Sequence, residues 1–279
     1  MIRIIVDSSA DYQAKELQAQ NIELVPITVT IGDCSYLDGI DLERDTFYKI
    51  LSESGQFPKT SQPSPQAYLD VFLDAKEKND DVICITVSSA LSGTCQSATL
   101  AKSMADYDNI HIVDSLGATH IIRLMADYAC ALRGQGLDTP AIVAALVTLR
   151  PRIKVAAVLD TLEYLQRGGR LGKAAAAIGE LASLKPMITI TQEGIVGILG
   201  KSIGKNKATQ SMLKYIQGDE IDPRFPVYTL YTYGTDNCVR FEGRLSEEGI
   251  HPANRLQIGP SIGAHVGPEA FGAIWVSKG

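Results

Sequence analysis

Three short segments gather hydroxyl side chains and glycines where a helix must begin or a loop must turn, a composition suited to holding an anion. Ser88-Ser89-Ala90-Leu91-Ser92-Gly93-Thr94 follows an apolar strand and leads directly into a helical pattern. Unpaired N–H groups at a helix start, the helix dipole and neighbouring hydroxyls all favour a carboxylate or a phosphate, and Gly93 lets the backbone come close. The same residues also suit an ordinary N-cap. Lys59-Thr60-Ser61-Gln62-Pro63-Ser64-Pro65 repeats the theme: Ser64 is placed to cap the next helix, which leaves Thr60 and Ser61 to face a cleft or to shape a turn. The third segment, Ile258-Gly259-Pro260-Ser261-Ile262-Gly263-Ala264-His265-Val266-Gly267-Pro268, surrounds His265 with glycines and reads as a loop. Loops on a rigid scaffold often carry functional groups, and the glycines suggest backbone that a side chain would obstruct.

Other chemistries fit less well. Gly259-Pro260-Ser261-Ile262-Gly263 matches G-x-S-x-G, the nucleophile elbow of α/β-hydrolases. That fold needs an acid and then a histidine well downstream of the serine, whereas His265 follows Ser261 almost at once and the sole later acid, Glu269, comes after it. Neither a G-x-x-x-x-G-K-[ST] loop nor a G-x-G-x-x-G after the first strand is present, and no His/Cys/Asp spacing marks a catalytic metal. Asp7 with Asp11, and Asp38 with Asp41, read as loop and capping acids. The net charge is −6, with 26 basic against 32 acidic residues and no basic block, so no nucleic-acid partner is expected. The single Arg167-Gly168-Gly169-Arg170 unit does not change this, because such units act by repetition.

The elements that must position these segments alternate along the chain. Ile2–Val6 reads as a strand followed by a helix from Asp11, Val82–Val87 as a strand followed by a helix from Thr94, and Ile110–Val113 as a strand followed by a helix from about Gly117. This alternation predicts parallel βαβ units. Ser64 before Pro65 and Thr139 before Pro140 mark helix starts. At 279 residues the chain has room for two domains, and Leu149-Arg150-Pro151-Arg152 closes one series before the strand Lys154–Leu159 opens another. The boundary is therefore placed at residue 150, giving domains 1–150 and 151–279. Hairpin signals at 187–199 and apolar runs at 227–233 and 271–276 predict a mixed sheet in the second half. The run Ala174-Ala175-Ala176-Ala177-Ile178-Gly179 is open to two readings, close helix packing or room for an apolar ligand. Five scattered cysteines without a CxxC pair fit reduced thiols, and an early-charged N-terminus without a spanning apolar run fits a cytoplasmic protein.

Taken together the motifs resemble the DegV family, along the whole chain. The resemblance is carried by Ile4-Ile5-Val6-Asp7-Ser8, Lys59-Thr60-Ser61-Gln62-Pro63, Leu91-Ser92-Gly93-Thr94 and the stretch from Asp160-Thr161-Leu162-Glu163-Tyr164 to Arg170-Leu171-Gly172. It continues through Leu184-Lys185-Pro186-Met187-Ile188 to the segment around His265. It implies an α/β fold of two domains, an N-terminal parallel-sheet domain and a C-terminal mixed-sheet domain, with a long-chain fatty acid between them as ligand and no other cofactor. By the same resemblance Thr60, Ser61, Ser92 and Gly93 would contact the carboxylate, with Arg170 and His265 close by. The implied role is that of a carrier without catalytic machinery of its own. It would present the acid to the catalytic subunit of a fatty acid kinase, which forms an acyl phosphate for membrane acyltransferases of phospholipid metabolism. Neutral donors suit that role, since a bidentate arginine pair would make the carboxylate a poorer nucleophile, and Arg170 is therefore given a supporting part. Two alternatives stand beside this one: a small-molecule phosphotransferase using the same cleft with His265 as nucleophile or anchor, and a sensor for another apolar carboxylate.

Overall fold

The computed structural model describes residues 1–172 and 184–278. Its first sheet is all-parallel, with β1 (Ile2–Asp7) flanked by β2 (Ile22–Val25) and by β6 (Asp81–Thr86), which in turn pairs with β7 (Ile110–Asp114). The strands read as nearly continuous apolar runs because both faces are covered. Successive side chains of a strand alternate between faces, so Ile5, Val82 and Cys84 meet α3 (Pro65–Glu77) and α4 (Thr94–Ala105), while Ile4, Val6, Ile83 and Ile85 meet α5 (His120–Gly134) and α6 (Thr139–Leu149). A short helix, α1 (Ala14–Gln20), joins β1 to β2.

A second, small antiparallel sheet of β3 (Thr28–Ile31), β4 (Cys34–Leu37) and β5 (Lys59–Ser61) carries the Thr60-Ser61 segment, with α2 (Arg44–Ser54) against it. The third sheet runs β10 (Val196–Ile203), β9 (Leu184–Ile190), β8 (Ile153–Val158), β13 (Phe271–Val276), β11 (Tyr228–Tyr231) and β12 (Asn254–Gln257). It is mixed, because β11 and β12 pair in parallel and the other neighbours antiparallel. One face packs on α8 (Lys205–Gln217) and α9 (Asp236–Glu247) around the buried Trp275, whereas Val155, Ile274 and Leu230 on the other face share a core with α5 and α6. Two more short helices border the site, α7 (Glu163–Arg167) and α10 (Pro260–Val266). No helix among the described residues is long and apolar enough to cross a membrane.

The α/β class, the parallel sheet and the mixed sheet agree with the sequence-based expectation, and four local details differ from it. The helix expected from Asp11 begins at Ala14, because Asp11 itself adopts φ 58° and closes a short 3-10 turn over Ser8–Ala10. The helix expected from about Gly117 begins at His120. Asp138, not Thr139, caps α6, accepting the N–H of Ala141 at 2.9 Å, which leaves the Thr139 hydroxyl to donate to Asp81 at 2.7 Å. The glycine-rich segment around His265 is a helix and not a loop: Gly263 is there for packing, since a Cβ would collide with the rings of Phe47 and Tyr48. The alanine run at 174–179 lies outside the described residues.

Candidate functional site

In an open α/β sheet ligands bind beyond the carboxyl ends of the strands, where the connections leave in opposite directions. Here β1 connects outward to β2 on one side and pairs with β6 on the other, so the loops after β1 and β6 mark that place. A cavity of about 390 Å³ opens there, within the size range of small-molecule sites. Ser9 follows β1, Val87 and Ser92 follow β6, and Ala118 and Thr119 follow β7. The facing wall is the mixed sheet, through Val155, Ala157, Ile188, Ile190 and Val196. One face of α10 closes the side: Ser261, Ile262, His265 and Val266 lie at the i, i+4 spacing that puts helical residues on a common face.

Five of the six residues singled out from the sequence line this cavity: Thr60, Ser61, Ser92, Arg170 and His265. Gly93 lies just behind, against the Gln62 side chain, and caps α4 with no side-chain acceptor of its own. The Thr60 hydroxyl meets His265 Nε2 at 2.8 Å, so β5 and α10 are joined at the site by one hydrogen bond. Ser92 Oγ lies 2.8 Å from the Thr94 hydroxyl and accepts the Thr94 N–H at 3.3 Å. Arg170 donates through Nε to the Leu91 carbonyl at 3.0 Å and through Nη1 to the Gly168 carbonyl, and it makes no ion pair among the described residues. Burial, then the positive charge of Arg170, pushes the His265 imidazole down to about 4, so it is neutral at physiological pH. Its Nδ1 is buried without a partner among the described residues, which favours the tautomer with the proton on Nε2, donating to Thr60. Gly168 makes room for the ring, since a Cβ there would strike Nδ1.

The remaining polar residues of the wall turn their hydroxyls away. Ser9 donates to Asp7, Thr119 to Asp11 at 2.5 Å, Thr189 to the Val155 carbonyl at 2.7 Å, and Ser261 to Asp38. Each hydroxyl has one proton to give, so these four present little donor capacity to the cavity. Thr119 holds φ 53°, an uncommon conformation for a β-branched residue, with its hydroxyl fixed on Asp11. The outcome is a cavity with a largely apolar body and one polar end, where Thr60, Ser92, Arg170 and His265 converge.

The sequence profile of the DegV family, described as uncharacterised proteins, matches residues 1–278. The chain belongs to the DegV family. A DegV domain-containing protein of Caldanaerobacter subterraneus subsp. tengcongensis is 34% identical over 279 residues, covering 99% of each chain. Among solved structures, a fatty-acid-binding DegV family protein from Thermus thermophilus superposes with a TM-score of 0.89 at 30% identity, covering 99% of both chains. A stearic acid-binding protein from Eubacterium ventriosum matches equally well, with a TM-score of 0.89, 30% identity and coverage of 100% of this chain and 99% of the other.

In this DegV chain the acids read as loop and capping residues do more than cap. Asp7 accepts the Val87 N–H at 2.7 Å, tying the loops after β1 and β6 together, and burial raises its carboxyl above the ordinary range. Asp11 and Asp38 reach α10 across more than 200 residues of sequence, accepting from the N–H groups of Gly259 at 2.8 Å and of Ser261 at 3.1 Å. No sequence signal could have paired these acids with α10, because the contacts are tertiary and the residue types are those of ordinary turns.

Proposed function

We propose that this DegV chain binds a long-chain fatty acid, with the carboxylate at the polar end formed by Thr60, Ser61, Ser92, Arg170 and His265 and the tail along the mixed sheet. The observation that carries this reading is the division of the cavity: wall hydroxyls already spent on carboxylates and a backbone carbonyl, head-end donors left convergent. Burying an acyl chain is worth about 0.8 kcal/mol per CH₂, so a long tail supplies roughly 10 kcal/mol before the costs of association. A buried carboxylate without donors would cost several kcal/mol; the Thr60 and Ser92 hydroxyls supply them, the Thr60 proton being left free because the imidazole N–H donates to the Thr60 oxygen. The solved DegV family protein and the stearic acid-binding protein, both of the same fold, support the ligand class. Arg170, its N–H groups partly committed to the Leu91 and Gly168 carbonyls, adds charge without being arranged as a bidentate clamp. A carboxylate so held keeps its nucleophilic oxygens, which suits presentation to the catalytic subunit of a fatty acid kinase and formation of an acyl phosphate for a membrane acyltransferase. The chain would act in the cytoplasm as the carrier, with no catalysis of its own.

The test is native mass spectrometry of the purified protein, followed by denaturation and identification of released small molecules. A stoichiometric fatty acid, reduced in Thr60→Ala and Ser92→Ala, is the expected result. Protein that is free of lipid and ignores added palmitate would overturn the reading and bring forward the phosphotransferase alternative, for which turnover by the isolated chain is the assay.

A further inference from the structure

Two buried carboxylates have no part in holding the ligand, yet both end on the helix that carries His265. Asp11 Oδ1 accepts the Gly259 N–H at 2.8 Å, and Asp38 Oδ2 accepts the Ser261 N–H at 3.1 Å together with the Ser261 hydroxyl. Between them stands Pro260, which has no N–H, so the donors on either side of the proline at the start of α10 are both taken. Ser8 Oγ lies 3.3 Å from Ser261 Oγ and accepts the Ile27 N–H at 3.0 Å, which links the same point to another residue of the cavity wall. On the far side α10 rests on Phe47 and Tyr48 through Gly263, and the Tyr48 hydroxyl donates to the Ile258 carbonyl at 2.8 Å. The rotation of α10 about its axis is thus set at its first turn, and His265 follows Ser261 by one turn on the same face.

The arrangement is expensive, since burying carboxylates costs free energy that well-packed apolar residues would not require. Burial raises Asp11 to about 7 and Asp38 to about 6, in spite of the donors each accepts and of Arg44, the cation whose field reaches both. Ordinary packing of a short helix needs no such groups.

We infer that Asp38, backed by Asp11, is a positioning residue for the ligand head, acting through Ser261 and the first turn of α10 to hold the His265 imidazole against Thr60. The inference rests on the fatty-acid reading of the cavity, but part of its test does not need the ligand. In ¹⁵N-histidine NMR spectra of delipidated protein, Asp38→Ala shifts the imidazole resonances of His265, assigned among the four histidines by His265→Gln. In calorimetric titration with palmitate, Asp38→Ala weakens binding roughly tenfold, the size of one hydrogen bond to a charged group, and by less than about twofold in a His265→Gln background. Asp38→Asn, whose carbonyl oxygen still accepts the Ser261 N–H, restores most of the affinity. An unmoved His265 signal, or equal losses with and without His265, overturns the inference. Wild-type protein that fails to bind palmitate overturns the fatty-acid reading alone, because the ligand-free spectra still decide the role of Asp38. Should Asp38→Ala not fold, Ser261→Ala, which removes the hydroxyl contacts to Asp38 and Ser8 and keeps the N–H bond to Asp38, is read by the same two measurements.

Discussion

The two ends of the cavity use the same kinds of residue in opposite ways. At the body, Thr119 and Ser261 are spent on buried carboxylates behind the wall and Thr189 on a backbone carbonyl of the neighbouring strand. At the head, the Thr60 hydroxyl pairs with His265 and the Ser92 hydroxyl with Thr94, in bonds that leave protons to redirect toward a ligand. The difference teaches that hydroxyl content alone does not define an anion site; what matters is whether the proton already has a better acceptor. A threonine is effectively apolar in one wall and a donor in the other.

That contrast can be broken at several points. The largest effect is expected from His265→Ala, which removes the donor that orients the Thr60 hydroxyl and frees its proton for the carboxylate: fatty-acid affinity should fall by roughly 10- to 100-fold, read by calorimetry, with an unfolding transition close to wild type. Thr60→Val and Thr189→Val are the same chemical change on opposite walls. The first should weaken binding about tenfold and the second less than about twofold, and equal effects would show that the hydroxyls are not divided as described. The pH dependence of binding should show no step from His265 between pH 5 and 8, because its imidazole titrates near 4; a transition near 6.5 lost in His265→Gln would contradict its burial.

A smaller effect concerns stability. Asp11, raised to about 7 by burial, holds its proton in the folded state at pH values where the unfolded chain has released it. Folded protein therefore binds more protons than unfolded protein, and the contribution of Asp11 to stability rises as pH falls from above 7 and is lost as pH rises through that value, at no more than about 1.4 kcal/mol per pH unit. His265 works in the opposite sense below about 6.5, where the unfolded imidazole takes up a proton that the folded one refuses until about 4. Thermal melts of wild type and Asp11→Asn between pH 6.5 and 8.5 isolate the first: the downward slope of wild type with rising pH should flatten in the variant.

The sequence made much of the scaffold legible because parallel strands buried on both faces leave uninterrupted apolar runs, as in Ile2–Asp7 and Asp81–Thr86, and because Ser64 before Pro65 marks a helix start by local chemistry. The hydroxyl and glycine clusters were visible for the same reason, each being a local departure from periodicity. What stayed hidden is what depends on distant partners. Thr139 had the appearance of a cap until Asp138 took that place and Asp81 took its hydroxyl. The edge strands β4 and β5 are short and mostly exposed, with too little pattern to stand out. The His265 segment suggested a loop because glycine and proline weaken a helix locally, whereas Phe47 and Tyr48 supply the surface that makes a helix with a glycine at 263 fit.

The placement of α10 also has a consequence for how such a gene can change. The helix is encoded between β12 and β13, and β13 runs through the middle of the last sheet, yet besides α7 the helix packs on Val29, Phe47 and Tyr48 from the first fifth of the chain. A recombination event that exchanged one half for a divergent copy would bring a foreign helix to a seat cut for another, and the contact between His265 and Thr60 would be among the first things lost. Substitutions around Asp11, Asp38 and Tyr48 are therefore expected to be matched by compensating ones between residues 258 and 266.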